Sequence, residues 1–156
     1  MAATKYIAQG DIGAFQSETL RVYQGFVDQG YQTALAEAAA GTLYQPAGWS
    51  RAQALGSRMD VIARRSMRAF YGEHRINPGL DINVAVNNRL ATQPEGSYRI
   101  PDLRVGGVVF DASLSAKRSY TPQVKGFYSS PAVKSVFIVR PSSMGGAYAL
   151  PKSGGR

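Results

Sequence analysis

A chain of 156 residues suits one domain built on one core, and a content of 44 % hydrophobic and 18 % charged residues excludes wholesale disorder. The absence of cysteine and the single histidine, His74, exclude disulfides, thiolate sites, a cysteine nucleophile and a histidine-built zinc site, so any metal must be held by carboxylates, as Mg2+, Mn2+ or Ca2+ are. The net charge of +8 favours a polyanionic partner over a merely solubilising role.

The first residues, MAATKYIAQGDIG, lack the basic and then apolar layout of a signal peptide. No apolar run approaches the ~18 residues of a membrane helix, so no membrane insertion is expected. Lys5 and Arg21 against Asp11, Glu18, Asp28 and Glu37 leave residues 1–50 at −2 and the remainder at +10. Residues 1–48 read as a helical N-terminal cap, its helix over SETLRVYQGFVDQGYQTALAEAAA broken into two pieces near Gly30. The core is expected over 49–141 and an irregular, glycine-punctuated tail over 142–156, all in a single domain.

The clearest helix follows Ser50, a capping residue. Leu55, Met59, Ile62, Ala63, Ser66 and Phe70 recur at steps of three and four and predict its buried stripe. Arg58 and Arg65 flank that stripe, with Arg64 and Arg68 opposite. Glu73 returns to the stripe if the helix survives Gly72, which makes it a candidate inward carboxylate; a frayed, solvated end is the alternative. Ile82, Val84 and Val86 alternate with Asn83, Ala85 and Asn87 as in a strand, and ATQPEG is a turn.

Gly106-Gly107 is a two-residue hairpin signal. With those residues as the loop, Val105 pairs with Val108, and counting outward sets Asp102 opposite Asp111, their Cβ atoms ~4.5–5.5 Å apart. Leu103, Val105, Val108 and Phe110 form the core face. The acids then share the other face with Tyr98, Ile100, Arg104, Val109, Ser113 and Ser115. Facing carboxylates share a proton, pair with a cation such as Arg104, or jointly bind a divalent ion; a purely structural surface pair is also open. Thr121-Pro122 starts a short helix with Val124 and Phe127 toward the sheet, and KSVFIVRP is a buried strand.

The predicted class is therefore α/β (α+β), in the order helix, three strands, helix, strand. This αβββαβ order, with Pro101-Asp102 on one strand, Asp111 on the next, Lys117 nearby and Gln123 opening the following helix, resembles the restriction-endonuclease-like PD-(D/E)XK nucleases. The block YRIPDLRVGGVVFDASLSAKRSYTPQVKGF is also similar to C-terminal toxin domains of bacterial polymorphic toxins, such as those of Rhs and contact-dependent inhibition proteins. The resemblance spans residues 50–140. It implies Asp102 and Asp111 as ligands of Mg2+ or Mn2+, Lys117 and Gln123 as orienters of water or phosphate, and a nuclease for which DNA is favoured over RNA.

The lysine expected two residues after the second acid is replaced by Ser113. Lys117, six residues on, is about 20 Å away if the strand stays extended; it reaches the site only if the strand ends near Ser115, and otherwise Lys125 or an arginine must serve. Arg58, Arg65, Arg68, Arg104, Arg118 and Lys125 are the candidate nucleic-acid contacts. The resemblance further implies delivery by a larger carrier chain, action in the target-cell cytoplasm, and an acidic immunity protein that masks the basic face. Two other functions remain open: a metal-independent RNase toxin using His74, Lys117 and Arg140, and a non-catalytic nucleic-acid-binding or phage-structural module.

Overall fold

The structure, a computed structural model, describes residues 10–78, 83–88 and 100–153; Ile82, Tyr98 and the predicted turn at 91–96 lie outside them. Helix α1, Ile12–Ala39, opens on Asp11, whose carboxylate accepts a hydrogen bond from the Ala14 N–H at 2.9 Å. It runs unbroken through Gly30, where two pieces were expected. The reason is tertiary. A Cβ on Gly30 would lie 2.7 Å from the Met59 carbonyl oxygen of the neighbouring helix, so glycine lets the two backbones approach, and packing offsets its poor helix propensity.

Helix α2, Arg51–Glu73, starts with a capping box in which the Ser50 side chain accepts from Gln53 N–H and Gln53 Oε1 accepts from Ser50 N–H. Its buried residues are Ala54, Leu55, Met59, Ala63, Met67 and Tyr71. From Leu55 onward these step by four, so the row drifts around the helix instead of running straight to Ser66 and Phe70 as predicted. That drift turns Asp60 and Arg64 toward the sheet.

Strands β1 (Val84–Val86), β2 (Leu103–Val105), β3 (Val108–Ala112), β4 (Ser135–Val139) and β5 (Ala147–Leu150) form one sheet in sequence order. Every neighbouring pair is antiparallel except β3–β4, which is parallel and joined by helix α3, Pro122–Tyr128. The fold is thus mixed α/β, with, among the described residues, three helices on a five-stranded mixed sheet. The β2–β3 register is the one the glycine pair predicts: Val105 faces Val108 and Leu103 faces Phe110. Gly106 alone of the two has positive φ, at 57°, the pattern of a type II′ turn.

The sheet is covered on both faces. Leu103, Val105, Phe110, Val84 and Val86 pack with Phe15, Tyr23 and Val27 of α1 and Met59 and Met67 of α2. Val109, Val136 and Ile138 pack with Val124 and Phe127 of α3. Two expectations change accordingly. The N-terminal segment contributes to the principal core instead of lying over it, and the tail expected to be irregular supplies β5, with the 3-10 turn Ser142–Met144 tied to α1 where Ser142 N and Oγ donate to Asp28.

Gly30→Ala tests the helix contact. In an exposed helix the substitution would gain up to about 1 kcal/mol, but here overpacking against backbone costs about 1–3 kcal/mol. We expect a lower midpoint in denaturant or thermal unfolding; a raised midpoint would show that the helices are not in close contact there.

Candidate active site

The two aspartates flank the open end of the β2–β3 hairpin. Asp102 immediately precedes β2 and Asp111 lies in β3, opposite one another in the continued register. The acids are not open to solvent on the face that they share: Asp111 is 2 % exposed and Asp102 9 %. The crossover from β3 to β4 lays α3 on that face, as parallel pairing requires. Asp102 Oδ2 accepts from Ala112 N–H at 2.8 Å, and Asp111 Oδ2 accepts from the Gln123 side-chain amide at 2.8 Å.

Asp60, from α2, joins them, a residue that sequence reasoning overlooked. Its signal was slight: an acid beside Met59 on the flank of the buried row, paired with Arg64 one turn on. Arg64 lies 3.1 Å from Asp60 Oδ2 and 3.9 Å from Asp102 Oδ1, so it faces the acids and not the opposite side of the helix. Among the described residues the buried side-chain atoms without a hydrogen-bond partner are Tyr23 Oη, Asp60 Oδ1 and Arg64 Nε. Burial, then the charges of Asp102, Asp60 and Asp111, raise the Tyr23 hydroxyl well above its ordinary value.

The electrostatics follow from burial and crowding. Burial, then the Asp102 charge, raises Asp60 to about 8. Burial, then the Asp111 charge, raises Asp102 to about 8, opposed by hydrogen bonds from Asp60 and the Ala112 N–H and by the Arg64 charge. Burial raises Asp111 to about 6, opposed chiefly by the Lys117 charge and by a hydrogen bond with Asp102. Burial and mutual repulsion thus favour the protonated form of all three acids, least for Asp111, where the Lys117 charge opposes it.

The lysine reaches the site by the chain turning back. β3 ends at Ala112, and Ser113 Oγ bonds the Ser115 carbonyl within the loop that follows. Lys117 Nζ donates to Gln123 Oε1, whose amide nitrogen in turn donates to Asp111. The extended-strand distance does not apply. The Lys117 backbone is held by the Tyr148 hydroxyl, which accepts from its N–H at 2.7 Å and donates to its carbonyl at 2.9 Å.

An open cleft of about 620 Å3 lies over these groups, lined by Asp60, Asp102, Asp111 and Gln123 and by residues of α2 and the loop after β3. Set against family models, curated proteins and solved structures, the chain matches none of them.

Several candidate residues stand elsewhere. Glu73 ends α2 exposed, 13 residues beyond Asp60 and about 20 Å along the axis; the drift of the buried row carries it into solvent. Arg58 binds Glu37 of α1 through both carboxylate oxygens, at 2.8–3.1 Å. Arg58 and Arg65 lie roughly 140–160° around α2 from Asp60 at 100° per residue, so neither lines the cleft. Arg68 is exposed, and its guanidinium approaches the Val86 carbonyl at 3.4 Å. Arg104 donates to Gly106 O and not to the acids. Arg118 and Lys125 are exposed beside Lys117 and on α3.

His74 bonds the Phe70 carbonyl at the far end of α2, and Arg140 donates to the carbonyls of Leu114 and Met144. His74, Lys117 and Arg140 do not converge as an acid–base set. Among the described residues no helix is long and apolar enough to cross a membrane.

The raised acids set a pH dependence. Their folded values lie above the unfolded ones, so the folded state binds more protons and its extra stability, full below about pH 4, is lost as pH rises through about 6 to about 8. The melting temperature of the metal-free protein should fall over that range. Asp102→Asn should flatten the fall and raise the melting temperature at pH 8 by a few degrees, since ~1 kcal/mol corresponds to roughly 2–4 °C at this size. A pH-independent difference between the two proteins would count against the cluster.

Proposed function

We propose that the chain is a metal-dependent phosphodiester hydrolase, an endonuclease acting on DNA in preference to RNA. The observation that carries this reading is the convergence of Asp102, Asp111, Asp60 and Gln123 on one cleft, with Lys117 bonded to Gln123, in a protein whose residues 51–156 sum to +10. Oxygen-only donors suit Mg2+ or Mn2+ in kind. In number they form an incomplete set: among the described residues no group of three or more His, Cys, Asp or Glu is arranged to enclose a metal. Mg2+ commonly binds in that way, through one or two carboxylates with water and substrate phosphate filling the remainder. Asp102 and Asp111 would hold the ion, with Asp60 beside Asp102 as a neighbouring acid and not as a third ligand.

When bound, the ion would polarise the scissile phosphate and lower the pKa of a water. The chain's own groups supply the rest. Gln123 fixes the Lys117 ammonium next to Asp111, where it can orient the attacking water or offset charge that develops on phosphate. Arg118, exposed beside Lys117, would hold the phosphodiester backbone, whereas Lys125, about 160° around α3 from Gln123, and Arg58, engaged by Glu37, contribute little. The resemblance of the 98–127 block carries the wider reading of an antibacterial toxin domain delivered by a carrier chain, and the +10 charge of residues 51–156 is what an acidic immunity protein would mask.

Plasmid nicking with Mg2+ and with EDTA is the test. We expect cleavage only with the metal, a loss of roughly a hundredfold or more for Asp102→Asn or Asp111→Asn, and a smaller loss for Lys117→Ala. Cleavage of total RNA that persists in EDTA, with the plasmid left intact, would favour the metal-independent RNase reading. Full cleavage by Asp102→Asn would remove the metal site.

A further inference from the structure

Trp49, the chain's single tryptophan, stands at the mouth of the cleft. It precedes the Ser50 cap of α2, where an apolar side chain ordinarily packs inward on the helix, yet it remains 41 % exposed. Its backbone is held on both sides: its N–H donates to the Pro46 carbonyl at 3.1 Å, and its carbonyl accepts from the Gln45 side chain at 2.9 Å. Ile100, 44 % exposed, and Leu114 line the same opening, with the polar Gln53 and Ser57 between them and the acids. At about 620 Å3 the cleft is larger than a phosphate alone fills.

We propose that Trp49 stacks an unpaired nucleobase next to the scissile phosphate, so that single strands, ends or unpaired nucleotides are preferred to intact duplex. The inference rests on the nuclease reading for the identity of the ligand and adds its conformation. A phosphodiester at Asp102 and Asp111 brings its two nucleosides with it, and the flat apolar surface at the cleft mouth suits a planar ring. Bases inside an intact duplex are paired and stacked on one another and cannot lie on an indole. Stacking tolerates any base, since each presents a π-face, and this matches a rim with little directional polarity.

The single tryptophan makes the contact directly observable. With EDTA present to keep strands intact, a short oligothymidylate or oligouridylate should quench Trp49 emission, and a blunt hairpin duplex at equal phosphate concentration should not. Trp49→Leu should weaken binding of a labelled single strand roughly five- to a hundredfold, Trp49→Phe should restore most of it, and duplex binding should be the same in all three proteins.

Equal quenching by duplex, or unchanged single-strand affinity in Trp49→Leu, overturns the inference. Should the leucine variant fail to fold, the quenching and the phenylalanine variant decide alone. Cleavage with Mg2+ but no quenching sinks the stacking and leaves the nuclease standing; quenching without cleavage at any Mg2+ concentration does the opposite.

Discussion

Two like charges set opposite each other at the end of a hairpin, and then covered, are the constraint around which this molecule is arranged. Asp102 and Asp111 repel, and burial removes the water that would weaken the repulsion. The hairpin register does not yield because a slip of one residue would exchange the two faces of β3, moving Phe110 away from the α1–α2 layer and Val109 away from α3. Two hydrophobic clusters thus hold the acids where they are individually unfavourable. The repulsion is opposed locally by the charges of Arg64 and Lys117 and by hydrogen bonds within the cluster, and it pushes the acids toward taking up protons.

The parallel β3–β4 pairing is the second organising feature. A parallel connection has to cross the sheet, and here the crossing chain carries Lys117 and Gln123 past the end of β3 before α3 covers the face. Its course is fixed from outside the loop. Arg140, at the end of β4, donates to the Leu114 carbonyl, and Tyr148 of β5 brackets Lys117 between its N–H and carbonyl. The edge strand β5 therefore places the lysine as well as extending the sheet, and Arg140 serves the site as a loop anchor.

The helical layer performs a different task. Close approach at Gly30 lets α1 bury the middle of α2, so that the row from Leu55 to Tyr71 drifts and presents Asp60 and Arg64 to the hairpin. The same packing draws Arg58 into an ion pair with Glu37 and leaves Glu73 in solvent. Arginines that look equivalent along one helix thereby acquire separate roles: Arg64 compensates the acids, Arg58 joins two helices, and Arg65 is exposed.

Whatever depends on a few consecutive residues was legible in the sequence. Gly106-Gly107 with alternation on either side determined the hairpin register and the opposition of Asp102 and Asp111; Ser50 marked the start of α2, Pro122 that of α3, and the apolar run after Lys134 marked β4. These signals act over one turn or one strand, where backbone sterics and period decide the outcome. Only the tertiary structure decided that Asp102 and Asp111 are buried, that Asp60 completes the acid cluster, that Lys117 folds back onto Gln123, and that Ala147–Leu150 pairs as a strand. Each depends on contact between segments tens of residues apart, and such contacts are selected by how whole helices and sheet faces pack, which no short window of sequence encodes.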